Sequence, residues 1–256
     1  MSMLQEISLV KERKKFVISL PSENDFVIPN IRWGNRKQFF TPAFWASFYW
    51  TSESEGTLPR LIKSRSLMDE VAFCVLGGYG IKAEINLAAY HRVKSLGLLR
   101  TSDLPSASEI ESALSEPFEI EGKQIRYRFP SQKSRYLAGA IKQLSEKNTI
   151  SIDPLETRRW LLSFTGIGPK TASWVVRNVY STDQVAIIDV HLHRAGILLG
   201  LFSPNDSIGK DYFDMEKRFL TFACNLGVPA SKLDILIWNV MRDHPLEVRN
   251  AMTEGY

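Results

Sequence analysis

The sequence predicts a mainly α-helical protein, and three observations carry that expectation. From residue 41 onward, helix starts recur at a capping Ser, Thr or Asp, followed by Pro at Thr41-Pro42 and Asp153-Pro154. Gly or Pro stops come after them, and between start and stop the apolar residues return at helical spacing. Strand-like runs are confined to about the first 40 residues, which are expected to form a small irregular or β extension.

Taken in order, Lys14–Leu20 and residues 25–28 read as short strands bounded by Pro21 and Pro29. Thr41-Pro42 opens a helix whose Phe44, Trp45, Phe48 and Tyr49 fit one buried face. Ser66 with Asp69 makes a capping-box-like start, Leu67, Val71, Cys74 and Val75 supply the stripe, and Gly77-Gly78 ends it. Helices follow over 82–96, closed by Gly97, and over 108–115, introduced by Pro105-Ser106. Residues 126–136 are the most basic stretch, with aromatic side chains interleaved. Asp153 caps a helix running from Pro154 to about Phe164, residues 165–169 form a hairpin, and Pro169 opens a second helix reaching Val179 or Tyr180. Asp189 caps a helix over 191–201. The last pair spans 210–226, stopped by Gly227 and Pro229, and 231–241, stopped before Pro245.

Composition sets the outer bounds. With 256 residues, 44% of them hydrophobic, the chain is long enough to bury a large core. A net charge of +4 permits a nucleic-acid partner without requiring one. Two cysteines cannot supply the four thiolates of an iron–sulfur cluster. Cys74 and Cys224 both sit in apolar helical contexts and read as buried thiols. The N-terminus is charged at Glu6, Lys11 and Glu12, and no stretch nears the length of a membrane span. An intracellular protein with no membrane partner is expected.

The most informative stretch is Thr165-Gly166-Ile167-Gly168-Pro169-Lys170, followed downstream by Ile188-Asp189-Val190-His191. Two glycines allow a tight turn, and Pro169 starts the next helix. Unfenced backbone N–H groups at that helix start make a site for a phosphate. With both Lys170 and Asp189 in register, the stretch resembles the helix-hairpin-helix DNA glycosylases, and within them looks most like the 8-oxoguanine glycosylase/lyases.

That resemblance implies a two-lobed helical fold with the active cleft between lobes. It divides the chain into an extension with the start of the helical lobe (1–60), the lobe itself (61–150), the hairpin and Asp189 segment (151–203), and helices completing a base pocket (204–256). It implies catalytic roles for Lys170 and Asp189. A neutral Lys amine displaces the base and holds the sugar as a Schiff base, and elimination of the 3′ phosphate makes the enzyme also a lyase. An unperturbed Lys, with a pKa of about 10.4, is largely protonated at neutral pH. A helix N-terminus and a partly closed cleft favour the neutral amine. Asp189 would stabilise the oxocarbenium-like sugar and help orient or deprotonate Lys170.

The same resemblance assigns phosphate contacts to Gly166, Gly168 and His191, and makes Lys133 and Arg135 candidates for others. It places Trp174, Asp234 and Trp238 around a flipped base. The loop at 77–81 lacks the family's usual Asn or Gln wedge, leaving Tyr79 or Ile81 to fill the duplex. No metal site and no iron–sulfur cluster are expected, a monovalent cation at the hairpin is compatible, and the partner is damaged double-stranded DNA bound by a monomer. Two alternatives stay open: a glycosylase for oxidised pyrimidines or mismatched bases, and a DNA-binding hairpin module with no chemistry.

Overall fold

The computed structural model describes residues 4–11, 14–58, 66–78, 80–146 and 151–254. In chain order its elements are β1 (Gln5–Lys11), β2 (Lys14–Leu20), β3 (Phe26–Ile28), β4 (Ile31–Arg32), α1 (Pro42–Glu55), α2 (Leu67–Leu76), α3 (Ala83–Ser95), α4 (Ala107–Ser115), β5 (Phe118–Ile120), β6 (Lys123–Ile125), α5 (Pro130–Ser145), α6 (Pro154–Leu161), α7 (Pro169–Tyr180), α8 (Val190–Leu198), α9 (Tyr212–Leu226), α10 (Ala230–Asp243) and α11 (Pro245–Glu254). The mainly α class holds, and among the described residues the strands pair only as antiparallel hairpins, β1 with β2, β3 with β4 and β5 with β6. The chain forms two compact units, Met1–Leu61 with Asp183–Tyr256, and Ile62–Thr182.

In the first unit the β1–β2 ladder runs from Gln5↔Leu20 to Lys11↔Lys14. Ile7, Leu9 and Leu20 point inward while Val10, Phe16 and Val17 stay exposed. Strand β1 was not legible beforehand, because two buried positions are too few to distinguish an edge strand from a solvated tail. Helix α1 starts as expected, with Thr41 Oγ1 accepting from the Phe44 N–H at 3.1 Å. Trp45 and Tyr49 are buried, but Phe48, expected on the same buried face, is exposed and Phe44 is only half-buried, because the face of α1 that meets the core runs through Ala43, Trp45, Ala46 and Tyr49. Helix α10 packs against α1, α8 and α9 around Trp45, Ile188, Leu192, Tyr212, Phe219 and Phe222.

Two further expectations in this unit need correction. Cys224 is exposed, because the buried stripe of α9 runs through Met215, Glu216, Phe219, Phe222, Ala223 and Leu226 and leaves position 224 facing outward. Helix α8 ends at Leu198 and does not reach Leu201. Gly200 there turns left-handed (φ 71°), and Leu201 and Phe202 both donate back to the Gly196 carbonyl. The last predicted helix does stop before Pro245, as expected, and that proline also opens α11, since a proline at the first helical position loses no intrahelical bond.

In the second unit α7 packs on α6 and α2, and α5 packs on α2 and α4. Leu76, Ile110, Leu114, Leu137, Ile141, Leu161 and Val175 fill its core. Helix α6 closes earlier than Phe164, because Ser163 and Phe164 donate to carbonyls three residues back and tighten the last turn. The β5–β6 hairpin, absent from the sequence reading, turns through Glu121 and Gly122 at φ 51° and 72°.

The end of α2 is held by side chains from α5 and the loop before it. The Lys133 ammonium donates to the carbonyls of Val75 (2.6 Å) and Gly77 (2.7 Å), and the Tyr127 hydroxyl donates to the carbonyl of Leu76. These carbonyls have no partner within their own helix, and a cation suits the negative helix end. Burial, with the neighbouring charge of Lys170 as a smaller cause, pushes Lys133 down to about 8 from 10.5. Between those values the unfolded chain holds the proton and the folded protein does not, so Lys133 contributes a rise in stability with pH across that window. Thermal unfolding of the wild type and Lys133→Met should show the wild type gaining Tm relative to the variant between pH 8 and pH 10. A difference independent of pH would contradict it.

Candidate active site

The hairpin is assembled from backbone. Past α6, Gly166 takes a left-handed conformation (φ +86°), and a Cβ there would lie 2.3 Å from the Tyr136 ring. The glycine is therefore required twice over, by dihedral and by close approach. Ile167 is buried and anchors the turn. Gly168 is different: it N-caps α7 in extended conformation (φ −93°), and among the described residues nothing lies within 4 Å of a Cβ placed there. With no side-chain cap on α7, its first N–H groups open toward whatever approaches Gly168. Lys170 follows in the first turn, half-buried.

One turn on, Trp174 lies edge-to-face on Phe73 (5.6 Å, 76°) and covers Gly77. A Cβ at Gly77 would meet the Trp174 ring at 3.2 Å and the Asn86 amide at 2.7 Å, so the glycine at the end of α2 is a packing requirement. Lys133, a candidate phosphate contact, is engaged with the α2 carbonyls. Arg135 is exposed, its Nε donating to the Ser131 carbonyl at 3.2 Å. Tyr79 lies outside the described residues, and Ile81 is half-buried.

The other catalytic candidate sits in the unit containing α8 to α11. Asp189 caps α8 as expected, its Oδ1 accepting from the N–H groups of His191 and Leu192, both at 2.9 Å. Asp189 as a whole is 8% exposed. Residues 185–189, which lead into it, belong to no helix and no sheet. Side chains satisfy their backbone. Glu216 Oε1 accepts from the Ala186 N–H (3.1 Å), Asp234 Oδ2 from the Ile187 N–H (3.3 Å), and the Tyr212 hydroxyl from the Ile188 N–H (3.3 Å). That hydroxyl donates in turn to the Ala186 carbonyl (2.8 Å).

Asp234, expected at a base edge, therefore also meets this backbone. Trp238, one turn later on α10, has the His191 ring edge-on at 6.0 Å and the Arg242 guanidinium 4.4 Å from its centroid. Sequence reasoning missed Tyr212, Glu216 and Arg242. The first two fall on the buried stripe of α9, where only the burial of a carboxylate marks them out. Among the described residues no group of three or more His, Cys, Asp or Glu side chains is placed to hold a metal ion.

Comparison with known proteins shows what the chain is similar to. A family model described as 8-oxoguanine DNA glycosylase matches residues 57–228. An 8-oxoguanine DNA glycosylase/AP lyase of Metallosphaera sedula is 32% identical over 141 residues, 52% of this chain and 63% of that relative. The match thus spans less than two thirds of the relative's length. Among solved structures, the 8-oxoguanine DNA glycosylase of Methanocaldococcus jannaschii aligns with 25% identity and a TM-score of 0.54, covering 69% of this chain and 77% of that one. That of Thermotoga maritima shares the fold at 24% identity and a TM-score of 0.52, over 69% and 79% of the two chains. With the family model covering well over half of its residues, hairpin and Asp189 included, the chain belongs to the 8-oxoguanine DNA glycosylase family.

Proposed function

We propose that the protein is a DNA glycosylase and AP lyase that removes 8-oxoguanine from double-stranded DNA through a Schiff base on Lys170. One observation carries the reading: Lys170 stands in the first turn of α7, two residues past the N-cap Gly168 at a helix start with no side-chain cap, inside the family match. The relatives named for this activity support it.

In this reading the backbone at Gly166 and Gly168 receives a phosphate, with His191 and Arg135 as further contacts. The neutral amine of Lys170 attacks C1′, and the glycosidic electrons leave with the base, which takes up a proton. Asp189 faces the cation that develops on the sugar, its Oδ1 committed to the α8 cap. Ring opening leaves an iminium between Lys170 and C1′. Loss of a C2′ proton then expels the 3′ phosphate, and water releases the amine. Trp238 stacks on the flipped base, in the place where the Arg242 guanidinium now lies.

Borohydride should trap a covalent adduct with an 8-oxoguanine duplex, and Lys170→Gln should abolish it. Undiminished trapping by that variant would remove Lys170 as nucleophile, and no trapping by the wild type would favour a non-catalytic hairpin. Asn caps helices as well as Asp, so Asp189→Asn should keep the fold and DNA binding while slowing single-turnover excision by about 10²–10³.

The two hairpin glycines should separate. Gly166→Ala should destabilise the fold, because its Cβ meets the Tyr136 ring. Gly168→Val should leave thermal stability near wild type and weaken binding to damaged and undamaged duplexes alike. Equal loss of stability in both would make Gly168 a packing residue.

Stacking on an aromatic ring contributes about 1–3 kcal/mol per base, so Trp238→Ala should lower lesion affinity roughly tenfold to a hundredfold. Affinity for abasic DNA should change little. Equal losses on both substrates would place the base elsewhere.

A further inference from the structure

We infer that Tyr212, Glu216 and Asp234 are positioning residues for Asp189: together they clamp the irregular segment that delivers its carboxylate. The inference rests on the catalytic reading of Asp189. Ala186 and Ile188 are fully buried, so their N–H groups have no water to meet, and among the described residues no strand pairs with this segment. Three consecutive N–H groups, at 186, 187 and 188, are instead taken by a different side chain each. Tyr212 holds both ends of its stretch, accepting from Ile188 and donating to the Ala186 carbonyl.

Burying a carboxylate is expensive without strong hydrogen bonds, yet Glu216 is 4% exposed and Asp234 is 3% exposed. An apolar residue at either position would pack without that penalty and would leave the Ala186 or Ile187 N–H unsatisfied. The cap bonds of Asp189 to His191 and Leu192 fix the segment's far end. Between the clamp and the cap the backbone has no slack, and Asp189 is held where it is. A displacement of about 1 Å in a catalytic group can lower a rate by about 10².

The test uses the full chain. Tyr212→Phe deletes only the hydroxyl, Glu216→Leu deletes the acceptor, and Glu216→Gln keeps an oxygen at the same place. Tyr212→Phe and Glu216→Leu should each slow single-turnover excision of 8-oxoguanine at least tenfold with duplex affinity within threefold of wild type. Glu216→Gln should recover most of what Glu216→Leu loses. In an Asp189→Asn background, Tyr212→Phe should slow excision no further, because its effect passes through Asp189. Wild-type rates in Tyr212→Phe and Glu216→Leu, or a full further loss in the Asn background, would overturn the inference.

A second readout does not depend on the activity. Amide exchange at Ala186 and Ile188 should accelerate at least tenfold in Tyr212→Phe, with the His191 and Leu192 amide resonances shifting. Unchanged exchange and resonances would equally overturn the clamp. Failure of the catalytic reading looks different: Asp189→Asn would excise at the wild-type rate while the exchange result stood.

Discussion

Buried backbone must be hydrogen-bonded, and in this protein several stretches that matter lie outside any helix or sheet ladder. The segment at 185–189 meets the requirement with a hydroxyl and two carboxylates from α9 and α10. The C-terminal carbonyls of α2 meet it with Lys133 and Tyr127. Helix α4 is closed the same way, with the Arg92 guanidinium of α3 donating to the carbonyls of Ala113, Glu116 and Pro117 while lying 3.6 Å over the Phe118 ring. In each case a charged or hydroxyl side chain from a neighbouring element ends or carries the backbone, so local conformation depends on tertiary packing. An unsatisfied buried group costs about 1–3 kcal/mol, which makes these side chains structural even where their neighbours are catalytic candidates.

The hairpin shows how one residue type serves two physical ends. Gly166 and Gly168 are alike in sequence, but Gly166 exists to let Tyr136 approach and to take a left-handed turn. Gly168 needs neither. Its lack of a side chain leaves the α7 N–H groups uncovered, which is the property an anion site requires. Gly77 adds a third use, making room for the ring of Trp174 and the amide of Asn86. The hairpin, the end of α2 and the first turn of α7 are thereby packed as one piece, with Lys133 at their meeting point close enough to feel the charge of Lys170.

On α10 the aromatic and acidic candidates turn out to be occupied. Trp238 lies against Arg242 and His191, and Asp234 supports Ile187. A guanidinium over an indole face is worth about 0.5–1 kcal/mol when exposed. A stacked base, at about 1–3 kcal/mol, can displace it. Asp234 is differently placed, because its carboxylate has an internal duty that persists whatever else it reads.

Read from the chain alone, the helical class, the hairpin with its two glycines, the α7 start at Pro169 and the Asp189 cap were all legible, because each is written in residues adjacent in sequence. Caps, proline starts and glycine turns are local physics, and the family motif is a local pattern of the same kind. Strand β1, the β5–β6 hairpin and α11 were not legible, since their signals are short or, at Pro245, point two ways at once. The exposure of Cys224 and the ends of α6 and α8 were settled by which helix face the core takes and by the turns that follow. What tertiary structure alone decided is the set of partners: Lys133 with α2, and Tyr212, Glu216 and Asp234 with residues 186–188. Those pairs are tens of residues apart, and a side chain's hydrogen-bond partner at that separation is fixed by packing geometry, which no local pattern encodes.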